Sequence, residues 1–368
     1  MKAAVVGLGI GMAHVAGYLE SPYADLYAVC DLIPERLNVV GGTFREGSML
    51  CLKPLFKDDI LDKSWEEIGV KTFTSLDALL ADPEVEMISL CTPDYLHAEH
   101  ADKVLRAGKH LLLEKPLDID FQKALKISDD IINSDKSFGL EYEFRVKPAV
   151  LKMKELVESG DVGEVKAFSL YHFRTPFRSD KWENWIQDRE RSGGLIIEET
   201  CHWIDLARYI TGKEIDSVHC VTEGGILPEV NFENIAYING TYRDGGVFQI
   251  SHILTGFDFS LQLTLHGTKG TVWCGLKDAK YSVLDNGETS YLGIVCFGKP
   301  DMNPEEGHRW TWGQEATEPW NIKEMVKSFV EKAVYGLPQV AGLVDGIESL
   351  KWAINAQTSA LENRVISK

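Results

Sequence analysis

The chain opens with a short apolar run followed at once by a glycine-rich loop. Residues 2–6 are Lys-Ala-Ala-Val-Val, and Gly7, Gly9 and Gly11 precede a pattern typical of a helix. A strand that turns into a helix through such a loop indicates a βαβ unit and hence a parallel sheet. The glycines let backbone N–H groups approach a pyrophosphate, whose charge the helix N-terminus stabilises. The predicted dinucleotide loop consists of Gly7, Gly9, Ile10, Gly11 and Met12.

The acidic residue after the second strand bears on which dinucleotide binds. Met12 stands where G-x-G-x-x-G has its third glycine, so a loop that merely turns the chain is an alternative. Residues 25–30 form a second predicted strand, and Asp31 follows it directly, twenty residues beyond Gly11. A carboxylate there accepts hydrogen bonds from the adenosine ribose and repels a 2′-phosphate, which favours NAD over NADP. The other interpretation is that Asp31 only caps a helix ahead of Pro34.

Strands and helices continue to alternate up to about residue 145. Apolar runs at 71–74, 85–91, 110–114 and 137–144 are separated by helical patterns, apart from an irregular insertion at 41–70 with no functional interpretation. Six strand-helix pairs predict a doubly wound parallel sheet.

The strand at 110–114 ends in Glu114-Lys115-Pro116. The carboxyl ends of strands in an open parallel sheet are where ligands bind, so Lys115 is placed to reach a substrate oxygen. Pro116 favours an extended backbone at Lys115, which would restrict its orientation. A Lys-Pro turn with a solvated amine is the alternative.

The pattern changes after residue 148. A helix at 149–159 is followed by long, often alternating strands, with hairpin turns at 243–246 and 267–270 and closing helices at 319–336 and 343–362. The predicted strands span 165–174, 215–222, 233–243, 246–256, 259–266 and 270–274. These elements predict a large, mostly antiparallel sheet with too few helices to cover both faces, and hence a homodimer or homotetramer.

One helix among these strands carries ionisable residues on a single face. Glu198, His202 and Asp205 are spaced i, i+4 and i+7 after Gly-Gly. An imidazole flanked by carboxylates is suited to accept a proton near neutral pH. A structural hydrogen-bond network between domains would have the same pattern, and so would half of a metal site. Since no further ligand is recognisable, we predict no metal.

The stretch before this helix has groups of the kind that bind polyols. Arg174, Trp182 and Trp185 are the predicted substrate contacts, although ordinary core packing of a tryptophan is equally compatible with the pattern.

Composition limits the partners. A net charge of −18 disfavours nucleic acid and anionic membranes, which leaves small molecules. Seven scattered cysteines without a Cys-x-x-Cys pair indicate reduced thiols. With no signal-peptide core and no membrane-length apolar stretch, we expect a cytoplasmic protein.

Together these stretches resemble the Gfo/Idh/MocA family, named for glucose-fructose oxidoreductase, inositol dehydrogenase and a rhizopine-catabolism protein. The similarity rests on the glycine loop, Cys91-Thr92-Pro93 with His97, Glu114-Lys115-Pro116 and the Gly-Gly…His-x-x-Asp helix, and it runs nearly end to end. It implies a Rossmann domain at 1–145, a substrate-binding and oligomerisation α/β domain at 146–368, and NAD(P)-dependent oxidation or reduction of a sugar, inositol or related polyol.

The resemblance also implies roles for individual residues. The cofactor would contact Thr92, Pro93, His97, Glu114 and Lys115. Lys115 matches the family lysine that binds the reacting hydroxyl and His202 matches its usual acid/base, while Glu198 stands where many members have Asp. Other possible activities are NAD-dependent glycoside cleavage, reduction of an unrelated carbonyl or imine, and a non-catalytic NAD-binding regulator. The presence of both Lys115 and His202 argues against the regulator.

Overall fold

A computed structural model of the protein describes residues 1–42, 55–56, 58–176, 182–256, 259–277, 292–300, 302–312 and 321–368. The chain forms two compact units. Unit 1 comprises Met1–Glu143, Asp180–Glu183 and Trp320–Ile347, and unit 2 comprises Phe144–Ser179, Asn184–Pro319 and Glu348–Lys368. The division into domains at residue 145 stays a prediction, and the compact units place residues 320–347 with the amino-terminal sheet. Much of the predicted 41–70 insertion lies outside the described residues.

Unit 1 is built on a six-stranded parallel sheet in the order β3-β2-β1-β4-β5-β6. Its strands are β1 (Lys2–Val6), β2 (Asp25–Cys30), β3 (Lys71–Phe73), β4 (Met87–Leu90), β5 (His110–Glu114) and β6 (Phe138–Glu141). Its helices in the first part of the chain are α1 (Gly11–Glu20), α2 (Leu76–Leu80), α3 (His97–Arg106) and α4 (Phe121–Asn133). This is the predicted doubly wound sheet, in the strand order of dinucleotide-binding folds. The topological switch point, where the order of successive strands reverses, lies between β1 and β4, and such folds bind ligands there.

The core of unit 1 explains why a late helix belongs to it. Helix α8 (Ile322–Tyr335) packs against α1 and inserts Val326 and Phe329 into the same buried cluster as Val5 and Met12. A Cβ on Gly17 would approach Val326 to 2.9 Å, so the absence of a side chain there permits this close approach.

Unit 2 is built on a nine-stranded mixed sheet. Its order among the described strands is β14-β13-β12-β11-β7-β10-β9-β8-β15, and each pair is antiparallel except the parallel β7–β10 pair. The strands are β7 (Val165–Phe173), β8 (Ile215–Glu223), β9 (Ile235–Tyr242), β10 (Val247–Ile253), β11 (Ser260–Gly267), β12 (Thr271–Lys277), β13 (Leu292–Gly298), β14 (His308–Trp312) and β15 (Ile366–Ser367). Both predicted hairpin turns are present, closed by hydrogen bonds from Gly245 to Tyr242 and from Gly267 to Gly270.

Helices lie on one face of this sheet. Helix α5 (Pro148–Glu158) contacts β12 and β13, whereas α7 (Cys201–Thr211), preceded by the short α6 (Arg189–Ser192), contacts β7 and β10. Helix α9 (Leu343–Glu362) begins in unit 1 and ends in unit 2. Large side chains remain exposed on the sheet, at Tyr171, Val221, Tyr237, Val247 and Trp273. Among the described residues, no helix combines the length and the hydropathy needed to cross a membrane.

Candidate active site

The glycine loop of unit 1 lies between β1 and α1, as predicted. Gly7 has φ +88° and a Cβ there would meet the Cys91 carbonyl oxygen at 2.3 Å, so only glycine fits. A Cβ on Gly9 would meet nothing within 4 Å, which leaves that side of the loop accessible. Met12 packs its side chain fully inside the core, so its side chain cannot be the group that contacts a cofactor. The loop therefore offers backbone N–H groups at the start of a helix, as a pyrophosphate requires.

Asp31 links the end of β2 to this loop. One carboxylate oxygen accepts a hydrogen bond from the Leu8 amide at 2.7 Å and lies 3.2 Å from a guanidinium nitrogen of Arg36. The other oxygen accepts from the Ile33 amide at 2.8 Å. An ionised carboxylate has about four acceptor positions, so these three donors leave about one for a ribose hydroxyl.

Three predicted cofactor residues follow β4. His97 is fully buried at the start of α3, where its two ring nitrogens lie 2.6 Å from the Pro116 carbonyl oxygen and 2.8 Å from that of Thr92. It therefore joins the Thr92-Pro93 loop to the segment that follows Lys115. Burial lowers the pKa of His97, although both carbonyls favour its protonated form. In this arrangement His97 positions backbone segments.

Glu114 and Lys115 stand at the carboxyl end of β5, as predicted. Glu114 is buried, with one oxygen 3.2 Å from His14 Nε2 and the other accepting the Lys115 amide at 3.2 Å. Burial alone would raise the pKa of Glu114, but the His14 hydrogen bond and nearby positive charge hold it below its usual value. Lys115 is half-buried, and the bond between Lys115 and Pro116 is cis. The sequence pattern predicted no role for His14, because its partners Ser89 and Glu114 belong to strands that are distant in sequence.

In unit 2, Glu198 and His202 lie where a π-helical turn (Ile196–Thr200) runs into α7. The sequence pattern predicted a single regular helix instead. The wider turn changes the angle between Glu198 and the α-helical residues, and π turns occur often at functional sites. His202 is buried, with its ring edge-to-face against Phe144 at 5.2 Å between centroids.

Asp205, which follows His202 on this helix, forms an ion pair with Arg145. Both carboxylate oxygens accept guanidinium hydrogen bonds at 2.6 and 2.7 Å, and Ser349 donates a further one at 3.2 Å. All three side chains are buried in unit 2. Asp205 is thus part of a structural ion pair within that unit.

The structure describes the side chains of two of the three predicted substrate residues, Arg174 and Trp185. Arg174, just after β7, pairs through a guanidinium nitrogen with Glu199 Oε1 at 3.0 Å. Trp185 is half-buried in the 3₁₀ turn Trp182–Gln187, while residues 177–181 and the side chain of Trp182 lie outside the described residues. Sequence reasoning missed Glu199, His172 and His252. The available signal was a histidine at strand positions where the alternation with Leu170 and Ile250 points inward.

The chain is similar to known proteins in sequence and in fold. Residues 1–141 match the family model described as "Oxidoreductase family, NAD-binding Rossmann fold", and residues 150–273 match "GFO/IDH/MocA C-terminal domain". Two similar relatives are the myo-inositol 2-dehydrogenase of Thermotoga maritima, 22% identical with 100% of this chain and 98% of the relative covered, and the inositol 2-dehydrogenase of Rhizobium meliloti, 22% identical with 74% of each covered. A solved levoglucosan dehydrogenase in complex with NADH and levoglucosan shares the fold, with a TM-score of 0.78 at 17% identity, 100% of this chain and 99% of that chain being covered.

Proposed function

The chain belongs to the GFO/IDH/MocA family of oxidoreductases, whose amino-terminal domain is an NAD-binding Rossmann fold, and we propose that it transfers a hydride between a CH–OH group of a sugar, inositol or related polyol and C4 of nicotinamide. The observation that carries this proposal is Lys115, a cation at the carboxyl end of β5 on the edge that bears the dinucleotide loop. Relatives named as inositol and levoglucosan dehydrogenases support the substrate class.

We assign the proton chemistry to two residues. Bound NAD would supply the hydride acceptor, and oxidation of the CH–OH group also requires an acceptor for the hydroxyl proton. Lys115 stabilises the negative charge that develops on the substrate oxygen, and His202 accepts the proton. Glu198, one turn before His202, is the carboxylate partner. Arg174, Trp182 and Trp185 remain candidate substrate contacts.

The geometry of unit 1 supports a binding mode for the cofactor. In the loop Gly7, Gly9, Ile10, Gly11 and Met12, the Gly7 amide donates to the Cys30 carbonyl and the Met12 amide to that of Gly9, so the Gly9, Ile10 and Gly11 amides are the proposed donors to the pyrophosphate. Asp31 would offer its remaining acceptor position to the adenosine ribose. Thr92, Pro93, His97 and Glu114 are the remaining candidate contacts of the cofactor. On this account NAD is preferred to NADP.

The test is a panel of polyols, inositols, aldoses and amino sugars, assayed for NADH absorbance with NAD supplied. With the substrate identified, Lys115→Met and His202→Gln should each lower kcat by at least about 10², with the NAD Kd nearly unchanged. Matched controls are Lys103→Met on the exposed side of α3 and His266→Gln on β11, which should keep wild-type kcat.

Two results would overturn the proposal. Wild-type kcat in His202→Gln would show that His202 is not the proton acceptor. Release of an aglycone without net NADH would assign the chain to glycoside cleavage.

A further inference from the structure

Three ionisable side chains that the proposed hydride transfer does not use converge on the inner face of the unit 2 sheet. His172 on β7 and His252 on β10 are direct neighbours across the parallel pair of strands. Glu199 reaches them from the π-helical turn, with its oxygens 3.5 Å from His172 Nε2 and 3.7 Å from His252 Nε2. One ligand atom from each residue lies within 4.8 Å of the others, and all three residues are buried.

Hydrogen bonds on the far side of His172 determine where its proton lies. Its Nδ1 is 2.9 Å from the carbonyl oxygen of Ser260. A carbonyl only accepts, so Nδ1 must carry the hydrogen. In the neutral ring, Nε2 then presents a lone pair toward Glu199, and Nε2 has no hydrogen-bond partner within the described part of the chain.

The same accounting holds for His252. Its Nδ1 is 2.8 Å from the hydroxyl oxygen of Thr200, and that hydroxyl donates its own hydrogen to the Leu195 carbonyl at 3.0 Å. The hydroxyl must therefore accept from Nδ1–H, which leaves a lone pair on Nε2.

Glu199 completes the set as an anion. Burial works to raise its pKa, but the Arg174 guanidinium beside it holds the pKa well below the usual value. One oxygen is bonded to Arg174, while Oε2 has no hydrogen-bond partner among the described residues. The Nε2 atoms of both histidines and a carboxylate oxygen of Glu199 thus face one another in a buried space.

We propose that His172, Glu199 and His252 bind a divalent cation of the zinc class. Two neutral imidazoles and one carboxylate are a ligand set that zinc accepts, whereas magnesium and calcium prefer oxygen ligands. With bonds of about 2.0–2.1 Å, ligand atoms in a tetrahedral zinc site lie about 3.4 Å apart. The three ligand atoms lie within 4.8 Å of one another, so small side-chain movements would bring them to that spacing.

The surroundings are those of a metal site. Histidines that bind metals usually donate their second ring N–H to a carbonyl or another fixed acceptor, as His172 does to Ser260 and His252 does to Thr200. The cation would link the π-helical turn, through Glu199, to strands β7 and β10, through His172 and His252. Its presence does not depend on the proposed hydride transfer, so either proposal can fail alone.

The experiment measures zinc in chelator-treated full-length protein after exposure to Zn²⁺ and removal of free metal. We expect His172→Gln and His252→Gln each to bind about one equivalent less than wild type. The matched control His266→Gln, an exposed histidine of the same sheet, should bind as much as wild type. Thr200→Val removes the hydrogen bond to His252 Nδ1, together with the one to the Leu195 carbonyl, and should weaken zinc binding about 10- to 100-fold. Far-UV circular dichroism checks that each variant is folded.

Wild-type protein gives a second readout in case a variant does not fold. Co²⁺ in place of zinc should show the visible bands of four-coordinate nitrogen and oxygen ligation. Three results would overturn the proposal: no metal uptake by the wild type, which would leave a His172–Glu199 ion pair; equal uptake by wild type and both histidine variants; or a thiolate-to-cobalt charge-transfer band, which would place the ion at a cysteine.

Discussion

Neutralising Asp31 should weaken NAD binding and narrow the preference for NAD over NADP. The carboxylate accepts three hydrogen bonds from the described residues, donated by Leu8, Ile33 and Arg36, and has about one acceptor position left. Asp31→Asn replaces one acceptor oxygen by an NH₂ group and removes the charge. The proposed ribose contact and the hydrogen bond from the Leu8 amide of the glycine loop both involve that carboxylate.

The expected magnitude follows from the loss of one hydrogen bond to a charged group. Such a bond contributes about 1.5–3 kcal/mol, and 1.4 kcal/mol is tenfold in affinity. The Kd for NAD should therefore rise about ten- to a hundredfold. The Kd for NADP should fall, because the repulsion of the 2′-phosphate is gone and Arg36 is released to meet it.

Isothermal titration calorimetry with each dinucleotide measures both effects. Asp25→Asn, at the exposed opposite end of β2, is the matched control and should bind like wild type. If Asp31→Asn binds NAD within about twofold of wild type while remaining folded, Asp31 only organises the turn before Pro34 and the reasoning is wrong.

Three further predictions concern stability and assembly. Arg145→Met should lower the free energy of unfolding, measured by denaturant titration, by about 3–5 kcal/mol, because it leaves the buried Asp205 charge unpaired. Adding Asp205→Leu should then restore part of the lost stability; additive losses in the double variant would refute this. Burial lowers the pKa of His100 to about 4, so the folded state resists protonation and stability should fall as pH drops from about 6.5 to 4; an equally steep fall in His100→Gln would contradict this. The exposed sheet face should pair with a second copy, so light scattering should show a dimer or tetramer that Tyr171→Glu or Tyr237→Glu dissociates, and a monomeric wild type would refute it.

Local patterns in the sequence were sufficient for much of the fold. The strands at Lys2–Val6 and Asp25–Cys30 and the helix Leu343–Glu362 occur where periodicity placed them. The Rossmann sheet followed from the alternation of strands and helices. Strand β15 was missed because it is two residues long and exists only through its pairing with β8. The parallel β7–β10 pair also could not be read from the hairpin turns, since it joins strands distant in sequence.

The positions of the candidate site residues were predictable where they belong to one local motif. The glycine loop, Asp31 and Lys115 stand at the carboxyl ends of strands, which the order of strands and helices predicts. Contacts across the chain were not predictable. Asp205 looked like a member of a proton-transfer face, but its partner Arg145 lies 60 residues away in sequence. The π-helical turn likewise depends on tertiary packing, for which the sequence has no periodic signal.

The most direct test of the central claim follows a deuterium atom. The polyol or sugar that produces NADH would be deuterated at its reacting carbinol carbon and turned over by the wild-type protein, and the NADH analysed by mass spectrometry and NMR. Direct hydride transfer predicts that the deuterium is found at C4 of nicotinamide, with one NADH formed for each ketone. NADH without deuterium, or deuterium lost to water, would contradict the account.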